Sequence, residues 1–372
     1  MSEMNLHLLE QLSAPDNRLG TARARQVAVW RGERADYLPL LVESVGQPWD
    51  GQAFTLPEQV ADPDKMLHEA LLNAVRVYPA QSDSVLSVRP QFGVGGLASV
   101  FGVTYELSER YGAPWVTAPV SKERLAALEP DGLDWESSLV PTMCRFAEHF
   151  RRELGGRLKA SCQVYLPDTQ GPFDLAHLAR GHDLLTDLMD DPPFVHHLME
   201  LATHVYVEGS KRLKQATGEP LNSGHHSGNL YMVGAGVRMC DDSGTLLSPR
   251  LHEEFVLPYH QRALEAFGGG WVHWCGGDFH LVPMYLSLPA VKGINLGQPA
   301  RYDLGAVFEA VLEAGKLYYG SLDRSPGESL EAYFARVVGY LQGERRGLIL
   351  TCGRDESMPP AREMLARWQE AQ

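Results

Sequence analysis

The chain has 372 residues, of which 44% are hydrophobic and 22% charged, and its formal net charge is −14. This composition is typical of a globular protein with a large core. The negative charge argues against nucleic acid as a partner. No apolar stretch is long enough to span a membrane, and the N-terminal residues "MSEMNLHLLEQL" lack the basic start and apolar block of a signal peptide, so we expect a cytoplasmic protein. Five widely spaced cysteines predict free thiols or metal ligands rather than disulfides.

Short apolar segments alternate with amphipathic helical segments along the chain. The predicted strands are residues 37–44, 82–90, 161–167, 229–233, 270–275, 291–296, 316–322 and 347–352. Eight strands separated by helices predict a parallel sheet, and their number fits a (β/α)8 TIM barrel; an open doubly wound α/β sheet is the alternative. We expect one domain over 1–372, with an N-terminal helical extension over about 1–35 and an insertion within 104–160.

A histidine and a cysteine share one face of the predicted strand 270–275. Residues two apart in a strand point the same way, so His273 and Cys275 lie side by side. Glycines follow directly and mark the carboxyl end of the strand, where barrels build their active sites. The last predicted strand also ends in a cysteine followed by a glycine. We therefore predict a catalytic zinc site in which His273, Cys275 and Cys352 bind the metal and one position stays open.

The predicted ligands determine what such a zinc can do. A zinc ion bound by two thiolates and a neutral imidazole is a poor Lewis acid. Such a zinc can, however, keep a substrate thiol deprotonated and nucleophilic. Zinc hydrolases more often use histidine and carboxylate ligands, so the set favours thiol alkylation. Water or a thiol is expected in the fourth position, and Asp278, His280 and Gln298 are within sequence reach.

Three longer segments carry a resemblance to a known family. They are "GPFDLAHLARGHDLLTDLMDDPPFVHHLMELAT" (171–203), "CDDSGTLLSPRLHEEFVLPYHQRA" (240–263) and "LTCGRDESMPPAREMLA" (350–366). Together with His273-x-Cys275 and the later Cys352, they resemble the uroporphyrinogen decarboxylase superfamily, in particular its zinc-dependent corrinoid:thiol methyltransferases, which are methylcobamide:coenzyme M methyltransferase-like. The resemblance implies a (β/α)8 barrel with Zn²⁺ as cofactor. It also implies methylcobalamin or another methyl-corrinoid on a partner protein as methyl donor, and a small thiol as acceptor.

The hallmarks of the decarboxylase itself are missing. Its Arg-Gln-Ala-Gly-Arg signature is absent from "WRGERADYLP" (30–39), and no acid occurs in "SVRPQFGVGG" (87–96). Its late histidine falls where Cys352 stands. Decarboxylation of a tetrapyrrole is therefore the less favoured alternative, beside a non-catalytic barrel that binds a metal or a corrinoid.

Several other residues are candidates for the pocket or for the loops around it. His225 and His226 stand in a polar segment before a predicted strand, and Asp323 follows a strand on the same face as Cys352. We interpret Cys240 as a buried thiol and Asp241-Asp242 as a turn. Coenzyme M, homocysteine and other thiols all remain open as acceptors, and we keep a homodimer as an expectation.

Overall fold

The computed structural model describes residues 3–12, 16–44, 53–78, 82–155, 162–277 and 279–372. The helices in these ranges are α1 (Glu3–Leu12), α2 (Asp16–Trp30), α3 (Leu56–Ala61), α4 (Pro63–Val77), α5 (Lys122–Ala126), α6 (Val140–Gly155), α7 (Pro172–Arg180), α8 (Asp183–Asp190), α9 (Pro192–Thr217), α10 (Pro249–Phe255), α11 (Leu257–Glu265), α12 (Leu281–Ser287), α13 (Leu304–Glu313), α14 (Leu330–Gly339) and α15 (Ala361–Glu370). Within the described ranges, no helix has both the length and the apolar character needed to cross a membrane.

The fold is mixed α/β around a parallel sheet. The strands are β1 (Leu40–Ser44), β2 (Ser87–Val88), β3 (Thr104–Ser108), β4 (Ala113–Ala118), β5 (Gln163–Val164), β6 (Ser223–His226), β7 (Leu230–Val233), β8 (Val237–Cys240), β9 (Gly270–Trp274), β10 (Val291–Leu296), β11 (Leu317–Ser321) and β12 (Leu348–Arg354). Six of them form one sheet in the order β1-β12-β11-β10-β9-β8, and every pair in it is parallel. Helical crossovers between successive strands produce this arrangement.

Three strand pairs lie outside the six-stranded sheet. Strands β2 and β5 pair in parallel, whereas β3–β4 and β6–β7 are antiparallel hairpins. A backbone hydrogen bond of 3.0 Å from Asp83 to Leu40 connects the segment before β2 to β1, and another of 3.0 Å connects Gly171 to Cys240. In the part of the chain that the structure describes, no strand ladder closes the six-stranded sheet.

The prediction that residues 229–233 form a strand of the parallel sheet is wrong. These residues form β7, which pairs with β6 in a hairpin, and β8 takes the place in the parallel sheet instead. The hairpin turn has positive φ at Ser227 (54°) and Gly228 (78°). Two such residues in succession are typical of tight hairpin turns. In the sequence this turn is hidden, because the two histidines before it are typical of a polar loop.

The β3–β4 hairpin lies within the region predicted to hold an insertion. Its outer surface exposes Tyr105, Leu107 and Tyr111. The helix α6 that follows buries Phe146 and Phe150. The boundaries of an N-terminal extension and of an insertion stay predictions.

Candidate metal and thiol site

Strand β9 presents His273 to a cavity of about 460 Å³. Trp271 lines the same cavity, whereas Val272 and Trp274 are buried on the other face of the strand. This is the alternation that the sequence predicts. Cys275 follows β9 directly, and its Sγ lies 3.6 Å from Nε2 of His273. The structure therefore brings the predicted His273–Cys275 pair together.

The imidazole of His273 is oriented from the neighbouring strand β10. Its Nδ1 donates to Oδ1 of Asn295 at 2.5 Å, and Nδ2 of Asn295 donates to the carbonyl of Tyr319 at 2.6 Å. With Nδ1 carrying the proton, Nε2 presents its lone pair towards Cys275. Burial, together with the positive charge of Arg238, lowers the pKa of His273. The ring is thus held in the neutral form that binds metals.

Strand β8 places two further ligand candidates beside His273. Cys240 is the register partner of His273, and the ligand atoms of Cys240, Asp242 and His273 all lie within 4.8 Å of one another. The Sγ of Cys240 lies 3.2 Å from Oδ2 of Asp242, and the backbone N–H of Cys275 donates to Oδ1 of Asp242 at 2.7 Å. Burial raises the pKa of both thiols.

Cys240 and Asp242 are not among the metal ligands that the sequence predicts. A signal was nevertheless present, since Cys240-x-Asp242 has the same two-residue spacing as His273-x-Cys275 and also stands at the end of a strand. The turn after β8 is held by Asp174 on α7, whose carboxylate accepts from the backbone N–H groups of Asp242 (3.2 Å) and Ser243 (2.8 Å). Burial raises the pKa of Asp174 to about 6.

Cys352 lies in β12 and is only 7% exposed. Its neighbour Thr351 lines the cavity that holds His273, so strand alternation turns Cys352 to the opposite face. There it lies near Tyr333 of α14, whose phenol pKa is raised by burial and further by this thiol. Burial raises the pKa of Cys352 itself to about 12. Cys352 is not part of the group formed by Cys240, Asp242 and His273.

The remaining sequence candidates are dispersed. His225 and His226 belong to β6 rather than to a solvated loop. His225 is buried, and its Nδ1 lies 2.9 Å from Oε1 of Glu219. His226 lines the cavity that holds His273. Asp323 lines a separate cleft of about 560 Å³.

The candidates for a fourth ligand position are also separated. Oε1 of Gln298 accepts from the N–H of Gly276 at 2.5 Å, and His280 directly precedes α12. Asp278 lies outside the described residues.

The donor atoms at the ends of β8 and β9 fit a zinc ion. Zinc binds thiolate, imidazole and carboxylate in a tetrahedron, with bonds of about 2.0–2.3 Å, so ligand atoms on one zinc lie roughly 3–4 Å apart. The Cys275–His273, Cys240–Asp242 and His273–Asp242 separations are 3.6, 3.2 and 3.8 Å. The chemistry and the spacing of Cys240, Asp242 and His273 thus suit one zinc ion, whereas Cys275 lies outside this group although its Sγ is 3.6 Å from His273.

The chain is similar to methyltransferases of Methanosarcina mazei. It is 25% identical over 270 residues to that organism's methylated-thiol–coenzyme M methyltransferase, an alignment that covers 71% of this chain and 66% of the relative. The resemblance to thiol methyltransferases that the sequence predicts is confirmed. A solved methyltransferase structure from the same organism superposes with a TM-score of 0.62, covering 94% of this chain and 98% of the other. At 15% identity, that likeness shows a shared fold. No family model matches the chain.

Proposed function

We propose that the protein is a zinc-dependent methyltransferase that moves a methyl group from a methyl-corrinoid, carried by a partner protein, to a small thiol. The observation that carries the proposal is the approach of Cys275 Sγ to His273 Nε2, 3.6 Å, next to a cavity of about 460 Å³ that His273 lines. Similarity to a methylated-thiol–coenzyme M methyltransferase supports the same reaction class.

The proposed metal ligands are His273, Cys275 and Cys352, with the fourth position left to the acceptor thiol; binding by Cys352 requires its side chain to turn from the opposite face of β12 towards His273. A zinc ion held by these ligands would lower the pKa of the acceptor thiol. Asn295 fixes the imidazole, and Asp242 holds the backbone of Cys275. Cys240 is the alternative third ligand, because its sulfur already lies beside His273.

The chemistry of the transfer is a displacement at carbon. The electron pair of the acceptor thiolate forms the new S–CH₃ bond, and the pair of the broken carbon–cobalt bond stays on the donor corrinoid. The acceptor's proton leaves to solvent when the thiolate forms.

We further infer that eight parallel strands form a barrel, namely β1, β2, β5 and β8 to β12. The parallel sheet of six strands and the parallel β2–β5 pair support this arrangement. In such a barrel, the carboxyl ends of β8, β9 and β12 share one mouth.

Metal content and turnover test the proposal. Protein purified without chelator is expected to carry about one zinc per chain. It is expected to demethylate methylcobalamin when a thiol is supplied, and to release no CO₂ from uroporphyrinogen. Cys275→Ser should lose most of the activity, whereas Cys144→Ser on α6 serves as the matched control and should keep it. Absence of methyl transfer with every thiol tested would overturn the proposal, and CO₂ release would favour the carboxy-lyase alternative.

A further inference from the structure

A second cavity of about 360 Å³ adjoins the cavity that holds His273. Tyr78, Arg89 and Tyr165 line both cavities, so these side chains stand where the two meet. We call the second cavity the side chamber, and its volume is within the range of small-molecule sites. None of the described residues proposed as metal ligands lines it. The side chamber is therefore a place for a molecule other than the metal and the acceptor thiol bound to it.

Three polar atoms of the side-chamber residues have no hydrogen-bond partner in the part of the chain that the structure describes. They are Oγ of Ser87, Nη1 of Arg89 and Oε1 of Gln91, and all three are buried. The residues alternate along β2 and the segment after it, and Pro90 favours an extended Arg89, so their side chains can share one side. A buried polar group without a partner costs about 1–3 kcal/mol. Three of them in one wall indicate a polar ligand.

The unpaired atoms define the hydrogen-bonding pattern of that ligand. Nη1 of Arg89 can only donate, Oε1 of Gln91 can only accept, and the hydroxyl of Ser87 can do both. A carboxylate would leave Gln91 without a donor, and an ammonium group would leave Arg89 without an acceptor. A primary carboxamide has a carbonyl oxygen and an NH₂ group in one plane, so it satisfies all three side chains at once.

The charges around the side chamber also favour a neutral group over an anion. Arg89 donates through Nη2 to Oδ2 of Asp168 at 3.3 Å, and Arg238 donates to Oδ1 of the same carboxylate at 2.8 Å. Burial would raise the pKa of Asp168, but the two guanidinium groups hold it below its usual range, so the carboxylate is ionised. Glu69 of α4 lines the side chamber as well and is only 8% exposed. The two carboxylates balance the two guanidinium groups, which leaves no excess positive charge for an anion.

The rest of the side chamber is largely apolar and suits the body of the ligand. Met66, Ala70 and Ala74 lie four residues apart on α4 and form one stripe of its surface. Tyr111 lines the chamber from the tip of the β3–β4 hairpin, where its ring stacks on Trp115 with 3.8 Å between the ring centres. A small planar or aliphatic body attached to the carboxamide fits these walls.

We infer that the side chamber binds a primary carboxamide, with Ser87 and Arg89 donating to its carbonyl oxygen and Gln91 accepting from its NH₂ group. The inference goes beyond the proposed function, since this binding needs neither the metal nor methyl transfer. Two sources offer the same chemistry. One is a free small amide, and the other is a carboxamide side chain at the edge of the corrinoid, which would enter from the adjoining cavity.

Binding of three molecules of the same shape tests the inference. Benzamide has both the donor and the acceptor, acetophenone has only the acceptor, and benzoate is an anion without a donor. In calorimetric titration, the wild-type protein should bind benzamide at least about tenfold more tightly than either of the others. Equal binding of the three molecules, or no binding of benzamide, would overturn the inference.

Replacing the acceptor shows which side chain recognises the NH₂ group. Gln91→Leu keeps the approximate size of the side chain and should bind benzamide and acetophenone within about twofold of each other. Gln215→Leu, at an exposed position of α9, is the matched control and should keep the preference of the wild type. Retained preference in a Gln91→Leu variant that urea unfolding shows to be folded would overturn the inference. If this variant does not fold, the wild-type comparison decides.

Kinetics with methylcobalamin distinguish the two sources. If a corrinoid carboxamide occupies the side chamber, benzamide should raise the KM for methylcobalamin and leave kcat unchanged. If the natural ligand is a free small amide, benzamide should leave that KM unchanged. Absence of methyl transfer with every thiol would remove the proposed function alone, because the binding of benzamide is measured without turnover.

Discussion

At the scale of single residues, the site depends on how each donor atom is aimed. His273 points its Nε2 at Cys275 because Asn295 holds the opposite nitrogen, and Asn295 is held in turn by the carbonyl of Tyr319. Metal-binding histidines generally need such a partner, and its loss weakens metal binding about 10- to 100-fold. Asn295 is therefore expected to be a positioning residue for the metal.

Two substitutions at position 295 test this role. Asn295→Leu removes the acceptor and should weaken zinc affinity about 10- to 100-fold. Asn295→Asp keeps an acceptor for Nδ1 but loses the donor to the carbonyl of Tyr319, so it should lose less affinity than Asn295→Leu. The measurement is competition for zinc against a chelator of known affinity. Equal affinity of the leucine variant and the wild type would contradict the role.

Which cysteine serves as the third zinc ligand depends on the direction in which its side chain points. Cys352 has to turn from the helical layer into the cavity to bind, and the free energy of zinc binding, about 10 kcal/mol or more at structural sites, can drive such a change. We expect Cys352→Ala to lose most of its zinc, as measured by metal analysis of protein whose circular dichroism is unchanged. Full zinc in Cys352→Ala combined with loss in Cys240→Ala would assign the ligand to Cys240.

At the scale of elements, the start of α7 is packed directly against the end of β8. The N–H of Gly171 donates to the carbonyl of Cys240 at 3.0 Å. A Cβ at position 171 would lie 2.4 Å from that same carbonyl oxygen and 2.8 Å from Cγ of Met239. Close approach of two backbones, rather than backbone conformation, requires glycine here, because φ at Gly171 is −63°.

Replacing this glycine should therefore disturb β8 and its ligands. Gly171→Ala is expected to lower the free energy of unfolding by about 1–3 kcal/mol, the usual cost of overpacking. Gly20→Ala is the control, since a Cβ at Gly20 in α2 meets nothing within 4 Å, and it should stabilise the protein by about 0.5–1 kcal/mol. Urea unfolding measures both. A neutral Gly171→Ala would show that α7 can move away from β8.

At the scale of the whole molecule, a polar cluster lies buried between the helices and the sheet. His252 and His260 are fully buried, and both contact the hydroxyl of Tyr285, at 3.2 and 3.0 Å. Tyr285 in turn donates to Asp241, which directly precedes Asp242. Burial lowers the pKa of His252 to about 4. The folded protein therefore keeps His252 neutral at pH values where the unfolded chain would protonate it.

Acid should consequently destabilise the protein through His252. The unfolded chain binds a proton at this residue below about pH 6.5, whereas the folded protein does so only near pH 4. Stability is thus lost as the pH falls through this window, by about 3 kcal/mol in total. His252→Gln removes this contribution, so its destabilisation relative to the wild type should shrink between pH 7 and pH 4 in urea unfolding. The exposed His7→Gln is the control. A difference independent of pH would contradict the expectation.

The sequence by itself determined the features that depend on local spacing. The two-residue period of a strand put His273 and Cys275 on one face, and glycines after Cys275 marked the end of β9. The alternation of strands and helices predicted the parallel sheet, and the segments at 171–203, 240–263 and 350–366 carried the resemblance to methyltransferases.

Only the tertiary structure decided which distant side chains meet. The register of β8 with β9 and of β10 with β9 put Cys240 and Asn295 beside His273, and no local pattern in the chain encodes such a register. The same holds for Arg89 and Arg238, which come from segments far apart and meet at Asp168. Strand pairing is set by the burial of whole faces, so the partners of a ligand or a charge emerge only when the strands are packed together.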